Sequence, residues 1–271
     1  KNGEQFIDKY DISEVKRSLK QHLITTGKYV VMFEKKIEKL FSCNFALSCN
    51  SGTAGLSLAF QALNLKQNDN VILPVINFIA AYSTLKAFNV NVFFADVCPL
   101  SGQMTPETLL MCIEKNKLKN VKLFLTMYLG GSPENIEDFY KIKKKYDCLW
   151  VEDACHALGS RHNIKKKRYY IGSGKFADLS VFSLHPIKTI TSGEGGFVTT
   201  NNKKFYQSMK LFRSHGIIRS KHDNTRYDIK KLGLNYRLSD INCALAFSQL
   251  KKINKFITNR KKIALIYKKN L

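Results

Sequence analysis

The stretch Phe45-Ala-Leu-Ser-Cys-Asn-Ser-Gly-Thr-Ala-Gly-Leu-Ser-Leu-Ala-Phe-Gln-Ala-Leu63 sets the reading of the whole chain. A short apolar run, Phe45 to Cys49, gives way through Asn50-Ser-Gly52 to apolar residues at helical spacing from Thr53 to Leu63. The alternation then recurs. Val71 to Pro74 precedes a helical Ala80 to Phe88, and Val92 to Ala95 precedes a helix opened by Thr105 as N-cap and Pro106 in its first turn. Val121 to Met127 leads through Gly130-Gly131 to a helix over Glu134 to Lys145, and Cys148 to Val151 ends in Glu152-Asp153. Strands that are apolar along their length and joined by helices predict an α/β fold, a mostly parallel sheet with helices on both faces. Functional groups then belong in loops beyond the C-terminal ends of the strands.

Outside this unit the chain is helical. Ile12 to Leu23 and Val31 to Phe41 carry helical periodicity on either side of Thr25-Thr-Gly27, and residues 203–212, 239–253 and 254 onward read as helices. The sequence does not open with methionine, and its last helix reaches Leu271 without a cap. That pattern predicts a fragment. Residues 1–253 are expected to form one large domain that includes the N-terminal helices, with residues 254–271 the start of a further helix.

Composition narrows the function classes. The 271 residues carry a net charge of +23, which by itself suggests nucleic acid or an anionic surface. The lysines are dispersed, however, as in Lys35-Lys36, Lys165 to Lys167 and Lys251-Lys252, without interleaved aromatics, so neither is read as the main partner. Seven cysteines form no CxxC pair, which predicts reduced thiols in a cytoplasmic protein. Val71 to Phe88 is interrupted by Pro74, Asn77 and Lys86, so no membrane insertion is expected. His156, His185 and His215 have no metal-ligand spacing, and no metal is expected.

Four loops carry the candidate chemistry. Ser183-Leu-His-Pro-Ile-Lys188-Thr-Ile-Thr-Ser-Gly-Glu194-Gly-Gly196 sets one lysine in an irregular turn before a glycine-rich return. A lysine that bonds covalently to an aldehyde cofactor needs such fixed presentation, whereas a solvated loop lysine does not. Asp153 at a strand end suits the ring nitrogen of pyridoxal phosphate, or else caps a helix. Asn50-Ser-Gly-Thr-Ala54 suits a phosphate at a helix N-terminus, or is an ordinary cap; Ser183 is placed to donate to the same phosphate. Asn235-Tyr-Arg-Leu238 is a polar cluster before a helix that Ser239 or Asp240 could cap, and by itself reads as a helix cap.

Taken together with Pro74-Val-Ile-Asn-Phe78, Glu152-Asp-Ala-Cys-His156-Ala-Leu-Gly, Arg213-Ser-His-Gly216 and Gly193-Glu-Gly-Gly196, these runs resemble the DegT/DnrJ/StrS family along essentially the whole chain. That family comprises pyridoxal-phosphate-dependent nucleotide-sugar aminotransferases. The resemblance implies the type I aminotransferase fold, with residues 254–271 leading toward a C-terminal small domain that is largely missing, and a homodimer with shared active sites. It implies Lys188 as the cofactor-bonding lysine and Asp153 as partner of the pyridine nitrogen, the two catalytic residues. Thr53, Ala54 and Ser183 would hold the phosphate, and Asn235 would reach the phosphate of the neighbouring subunit. Phe78, otherwise an ordinary core aromatic, would stack on the ring, and His156 would meet its phenolic oxygen. A dehydrating branch of the family has histidine where this chain has Lys188, so amino transfer is expected. The implied reaction moves the amino group of L-glutamate to a UDP-4-keto-6-deoxy-hexose for cell-surface amino sugars such as pseudaminic acid. The alternatives are another nucleotide keto sugar, of perosamine type or aminated at C3, and a non-catalytic regulator on the same fold.

Overall fold

Two helices, α1 (Lys9–Leu19) and α2 (Lys28–Phe41), lead into the α/β unit. Strands β1 (Phe45–Cys49), β2 (Asn70–Pro74), β3 (Asn91–Ala95), β4 (Leu123–Met127) and β5 (Leu149–Asp153) alternate with helices α3 (Gly52–Ala62), α4 (Ala80–Lys86), α5 (Pro106–Lys115) and α6 (Ile136–Lys145). A hairpin of β6 (Arg161–Ile164) and β7 (Lys167–Tyr170) precedes β8 (Leu179–Ser183) and β9 (Gly196–Thr200). Then come α7 (Lys203–Phe212), the ribbon β10 (Ile217–Arg219) with β11 (Tyr227–Ile229), and helices α8 (Asp240–Leu250) and α9 (Ile253–Asn270). The structure is a computed structural model and describes residues 4–220 and 226–270. The uncapped end expected at Leu271 lies outside the described residues.

One seven-stranded sheet organises the chain, in the order β1-β9-β8-β5-β4-β2-β3. Neighbours from β3 to β8 run parallel, while β9 is antiparallel to both β8 and β1. Two reversals restore direction, so β1 points the same way as β5 and β8. The C-terminal ends Cys49, Asp153 and Ser183 therefore share one edge of the sheet, as expected for an α/β fold.

Both faces are covered, which explains strands that are apolar along their length. Beneath one face, α2, α5, α6 and α8 contribute Phe33, Ile37, Leu109, Phe139 and Ala244 to a core built around Trp150 and Phe124. Their rings stack at 5.5 Å, and the Trp150 indole N–H donates to Thr126 Oγ1 at 2.9 Å, so a large aromatic is buried with no orphaned donor. On the other face α3, α4 and α7 cover Leu47, Leu73, Val151 and Val181. Helix α3 lies close to the sheet because Gly55 has no side chain: a Cβ there would sit 2.7 Å from Val181 Cγ1.

The helices follow their expected extents to within a few residues. The α1 N-terminus is a capping box in which Asp8 accepts from the Tyr10 and Asp11 amides. Pro106 opens α5 behind the N-cap Thr105, as the sequence predicts. The β6–β7 hairpin was not anticipated. Among the described residues no helix is long and apolar enough to cross a membrane, and no three potential metal ligands cluster.

Candidate active site

The phosphate-binding candidates meet at the start of α3. Ser51 is the N-cap residue, and its Oγ accepts from the Ala54 amide at 3.0 Å. Thr53 is exposed beside it. A Cβ on Gly52 would lie 3.1 Å from Ser183 Cβ and 3.3 Å from Cys155 Sγ, so the ends of β1, β5 and β8 converge on this helix terminus. Only glycine fits at Gly196 either, since a Cβ there would be 2.7 Å from both the Ser51 and Phe182 carbonyl oxygens. The antiparallel β9 is thereby pressed against the loop that opens α3.

Strand alternation separates the two acids of β5. Glu152 is buried on one face and accepts from the hydroxyls of Tyr128, at 2.7 Å, and Ser180. Burial raises its pKa, and both oxygens are occupied, so Glu152 is a structural group. Asp153, the next residue along the strand, points to the opposite face. Its Oδ1 accepts from the Cys155 amide at 3.2 Å, and no helix follows it, so Asp153 does not cap a helix.

Lys188 lies in the loop between β8 and β9. The loop is pinched at its base: Leu184 N–H donates to Gly195 O at 2.8 Å, and Ser192 N–H donates to Leu184 O at 3.0 Å. Within it, Lys188 N–H donates to His185 O at 2.9 Å, closing the turn that presents the side chain. The Lys188 charge acts on Cys155 and His156, which follow Asp153 in the chain. Burial pushes the Cys155 thiol well up, the Asp153 carboxylate adds to this, and Lys188 opposes it. Cys155 thus stays a neutral thiol and is no nucleophile. Burial also holds the His156 pKa down, with Lys188 second, and Asp153 opposes. His156 is therefore neutral near pH 7 and can present either a donor or an acceptor to a ring oxygen.

Phe78 follows β2 and is 73% exposed, so it is not a core aromatic. Asn235 is exposed, and its carbonyl accepts from Asn50 Nδ2 at 3.3 Å while Tyr236 O accepts from the Asn50 amide at 3.0 Å. The segment is thus fastened beside the α3 N-terminus of its own chain, and no hydrogen bond of the Asn235 side chain is seen among the described residues. Ser239, not Asn235, caps the following helix, accepting from the Asn242 amide at 3.2 Å.

The sequence reading missed two groups that hold the lysine loop. Asn242 Nδ2 donates to Ser192 O at 2.7 Å, and Arg260 donates to the carbonyls of Ile187 and Lys188 at 3.1 and 2.8 Å. Neither carries a motif, and both are far along the chain from the loop.

A helix N-terminus with Ser183 and Thr53 for a phosphate, a carboxylate for a pyridine nitrogen and an amine for an aldehyde form a donor set that fits pyridoxal phosphate. The fold and this site define a type I pyridoxal-phosphate-dependent aminotransferase. A model described as the DegT/DnrJ/EryC1/StrS aminotransferase family matches residues 5–271, and the chain belongs to that family. It is 35% identical over 265 residues to the UDP-4-amino-4,6-dideoxy-N-acetyl-β-L-altrosamine transaminase of Campylobacter jejuni, covering 98% of this chain and 68% of that protein. It is 32% identical to the GDP-perosamine synthase of Escherichia coli O157:H7, covering 90% of this chain and 64% of that one. Among solved structures, Helicobacter pylori PseC, an aminotransferase involved in the biosynthesis of pseudaminic acid, superposes with a TM-score of 0.89 at 32% identity, covering 99% of this chain and 70% of that one.

Proposed function

We propose that the protein transfers the amino group of L-glutamate to C4 of a UDP-linked 4-keto-6-deoxy-hexose, for a cell-surface amino sugar of the pseudaminic acid type. The observation that carries this is the convergence of Asp153, Ser183 and the α3 N-terminus at one sheet edge, with the Lys188 charge acting on Cys155 and His156 beside them. The UDP-sugar transaminase relative supports the nucleotide and the ring position. When bound, the cofactor supplies a ring that draws electrons from the donor's α-carbon. Asp153 holds the proton on the ring nitrogen. The Lys188 amine takes the proton from the donor's α-carbon and later delivers one to the sugar carbon that gains nitrogen. Thr53 and Ser183 would bind the phosphate, joined by the Ala54 amide if it turns to the phosphate from Ser51 Oγ, while Phe78 would cover the ring and His156 would contact its phenolic oxygen.

Residues 1–253 act as the cofactor-binding domain and 254–271 as the start of the connection to a small domain. The enzyme works in the cytoplasm as a homodimer, and Asn235 serves the partner's phosphate. Four exposed apolar residues around the Phe78 turn, Val75, Ile76, Phe78 and Ile79, support the dimer, since a contiguous apolar patch at an active-site edge favours burial. The test supplies glutamate and a panel of UDP-, GDP- and dTDP-linked keto sugars and weighs the products. A UDP-linked 4-amino sugar is expected; a GDP-linked product would move the protein to the perosamine branch. Borohydride reduction should leave a phosphopyridoxyl group on the Lys188 peptide, and label on another lysine would refute its assignment.

A further inference from the structure

Helix α9 approaches the lysine loop through one side chain. Arg260 donates from one guanidinium nitrogen to two consecutive carbonyls, Ile187 O at 3.1 Å and Lys188 O at 2.8 Å. On the other side of the peptide, Lys188 N–H is held by His185 O at 2.9 Å. The backbone of Lys188 is therefore fixed at both its amide and its carbonyl, and no other side-chain contact to that carbonyl is seen among the described residues. Arg260, Lys188, Thr189, Pro186, Phe6 and Phe256 line one cleft of about 290 Å³. The Arg260 charge also reaches across to His156, whose proton affinity falls chiefly through burial, then through Lys188, with a smaller contribution from Arg260.

We propose that Arg260 is a positioning residue: by clamping the carbonyls of Ile187 and Lys188 it sets where the Lys188 amine meets the aldehyde carbon of the cofactor. This inference rests on the pyridoxal-phosphate reading above. A lysine side chain has four rotatable bonds, so its amine is placed only as well as its Cα and backbone are. Reacting atoms must lie about 3–3.5 Å apart, and a misplacement of about 1 Å costs on the order of 10²-fold in rate. Arg260 is itself exposed, so its two bonds add little to folding stability and act on geometry instead. Lysine would not replace it, because its side chain is one bond shorter, so its ammonium falls short of the two carbonyls that the guanidinium nitrogen reaches.

The test uses the full chain stripped of cofactor. Pyridoxamine phosphate has the same ring and phosphate but no aldehyde, so its affinity reads the pocket alone. Attachment of pyridoxal phosphate, trapped with borohydride and read as mass on the Lys188 peptide, reports the amine's position. Arg260→Gln should attach pyridoxal phosphate about 10-fold or more slowly, with pyridoxamine phosphate affinity within about 2-fold of wild type. Arg260→Lys should also be slow, by at least about 3-fold, since a cation that stops short of the two carbonyls does not clamp them. If Arg260→Gln does not fold, the same pair of measurements on Arg260→Lys decides. Attachment at the wild-type rate overturns the proposal, and so does a fall in pyridoxamine phosphate affinity by the same factor, which means a loosened pocket. Wild-type protein that binds neither compound overturns the cofactor reading, and the role of Arg260 with it.

Discussion

Lowering the pH from 7 to 5 should cost this protein about 2 kcal/mol of stability through a single side chain, His162. The residue sits on β6 and is 9% exposed. Its ring stacks on Tyr169 at 5.8 Å and meets the edge of Phe176 at 5.2 Å, and neither ring nitrogen has a hydrogen-bond partner. Burial pushes its pKa from the ordinary 6.5 down to about 4. The unfolded chain therefore takes up the proton as pH falls through 6.5, while the folded chain refuses it until about 4. Stability is full above the higher value and drains between the two. The gap bounds the loss at about 3.4 kcal/mol, of which about 2 kcal/mol appears by pH 5. Urea unfolding of wild type and His162→Phe at pH 7 and pH 5 measures it. Carboxylates elsewhere titrate alike in both proteins, so the difference between them isolates His162. Wild type should lose about 2 kcal/mol more than the variant. Equal losses in the two proteins refute the argument, and would mean that the hairpin opens to water around the ring.

Replacing Asp153 by Asn should lower kcat by at least about 10²-fold, the scale of a lost preorganised charge, while leaving the unfolding midpoint nearly unchanged because no helix is capped there. A folded Asp153→Asn protein with near-normal turnover would remove Asp153 from the mechanism. Arg213→Ala should destabilise by about 3 kcal/mol in urea, because Arg213 pairs with Glu34 at 2.8 Å and also holds Ser48 O at 2.8 Å in a site where both charged side chains are mostly buried. A loss below about 1 kcal/mol would place the pair in the solvent-screened class. Mixing inactive Lys188→Ala and Asn235→Asp proteins should restore part of the activity, since one site of each heterodimer then combines both native residues. No recovery after verified subunit exchange would mean that Asn235 serves its own chain.

The parallel part of the sheet was legible because its strands and helices differ in period and each strand is mainly apolar. Two features were not. Strand β9 runs antiparallel, yet Gly196 to Thr200 is as fully buried as the parallel strand β4, so pattern alone gives no direction. Its reversal follows from the pinched loop at Leu184 and Gly195, which is a matter of long-range pairing. The β6–β7 hairpin turns through Lys165 and Lys166, at φ of 45° and 64°. Left-handed turns are normally marked by glycine or asparagine, and two lysines give no such mark.

The site divides along the same line. Lys188, Asp153, Ser183 and the Asn50–Ala54 run lie where a strand ends, and a strand end in an α/β sheet is a position that sequence periodicity can locate. Whether Asp153 capped a helix could not be decided from sequence, because a cap and a ring partner ask for the same residue type after the same strand. The irregular backbone from Ala154 to Ser160 decides it. Arg260 and Asn242 had no signal at all. One sits in a lysine-rich helix where a cation is unremarkable, and the other lies three residues after a serine cap. Yet both bond to carbonyls of the loop that carries Lys188, an irregular backbone that cannot satisfy its own acceptors. A loop built to present one lysine leaves such carbonyls open. The side chains that close them come from wherever the fold brings a helix past.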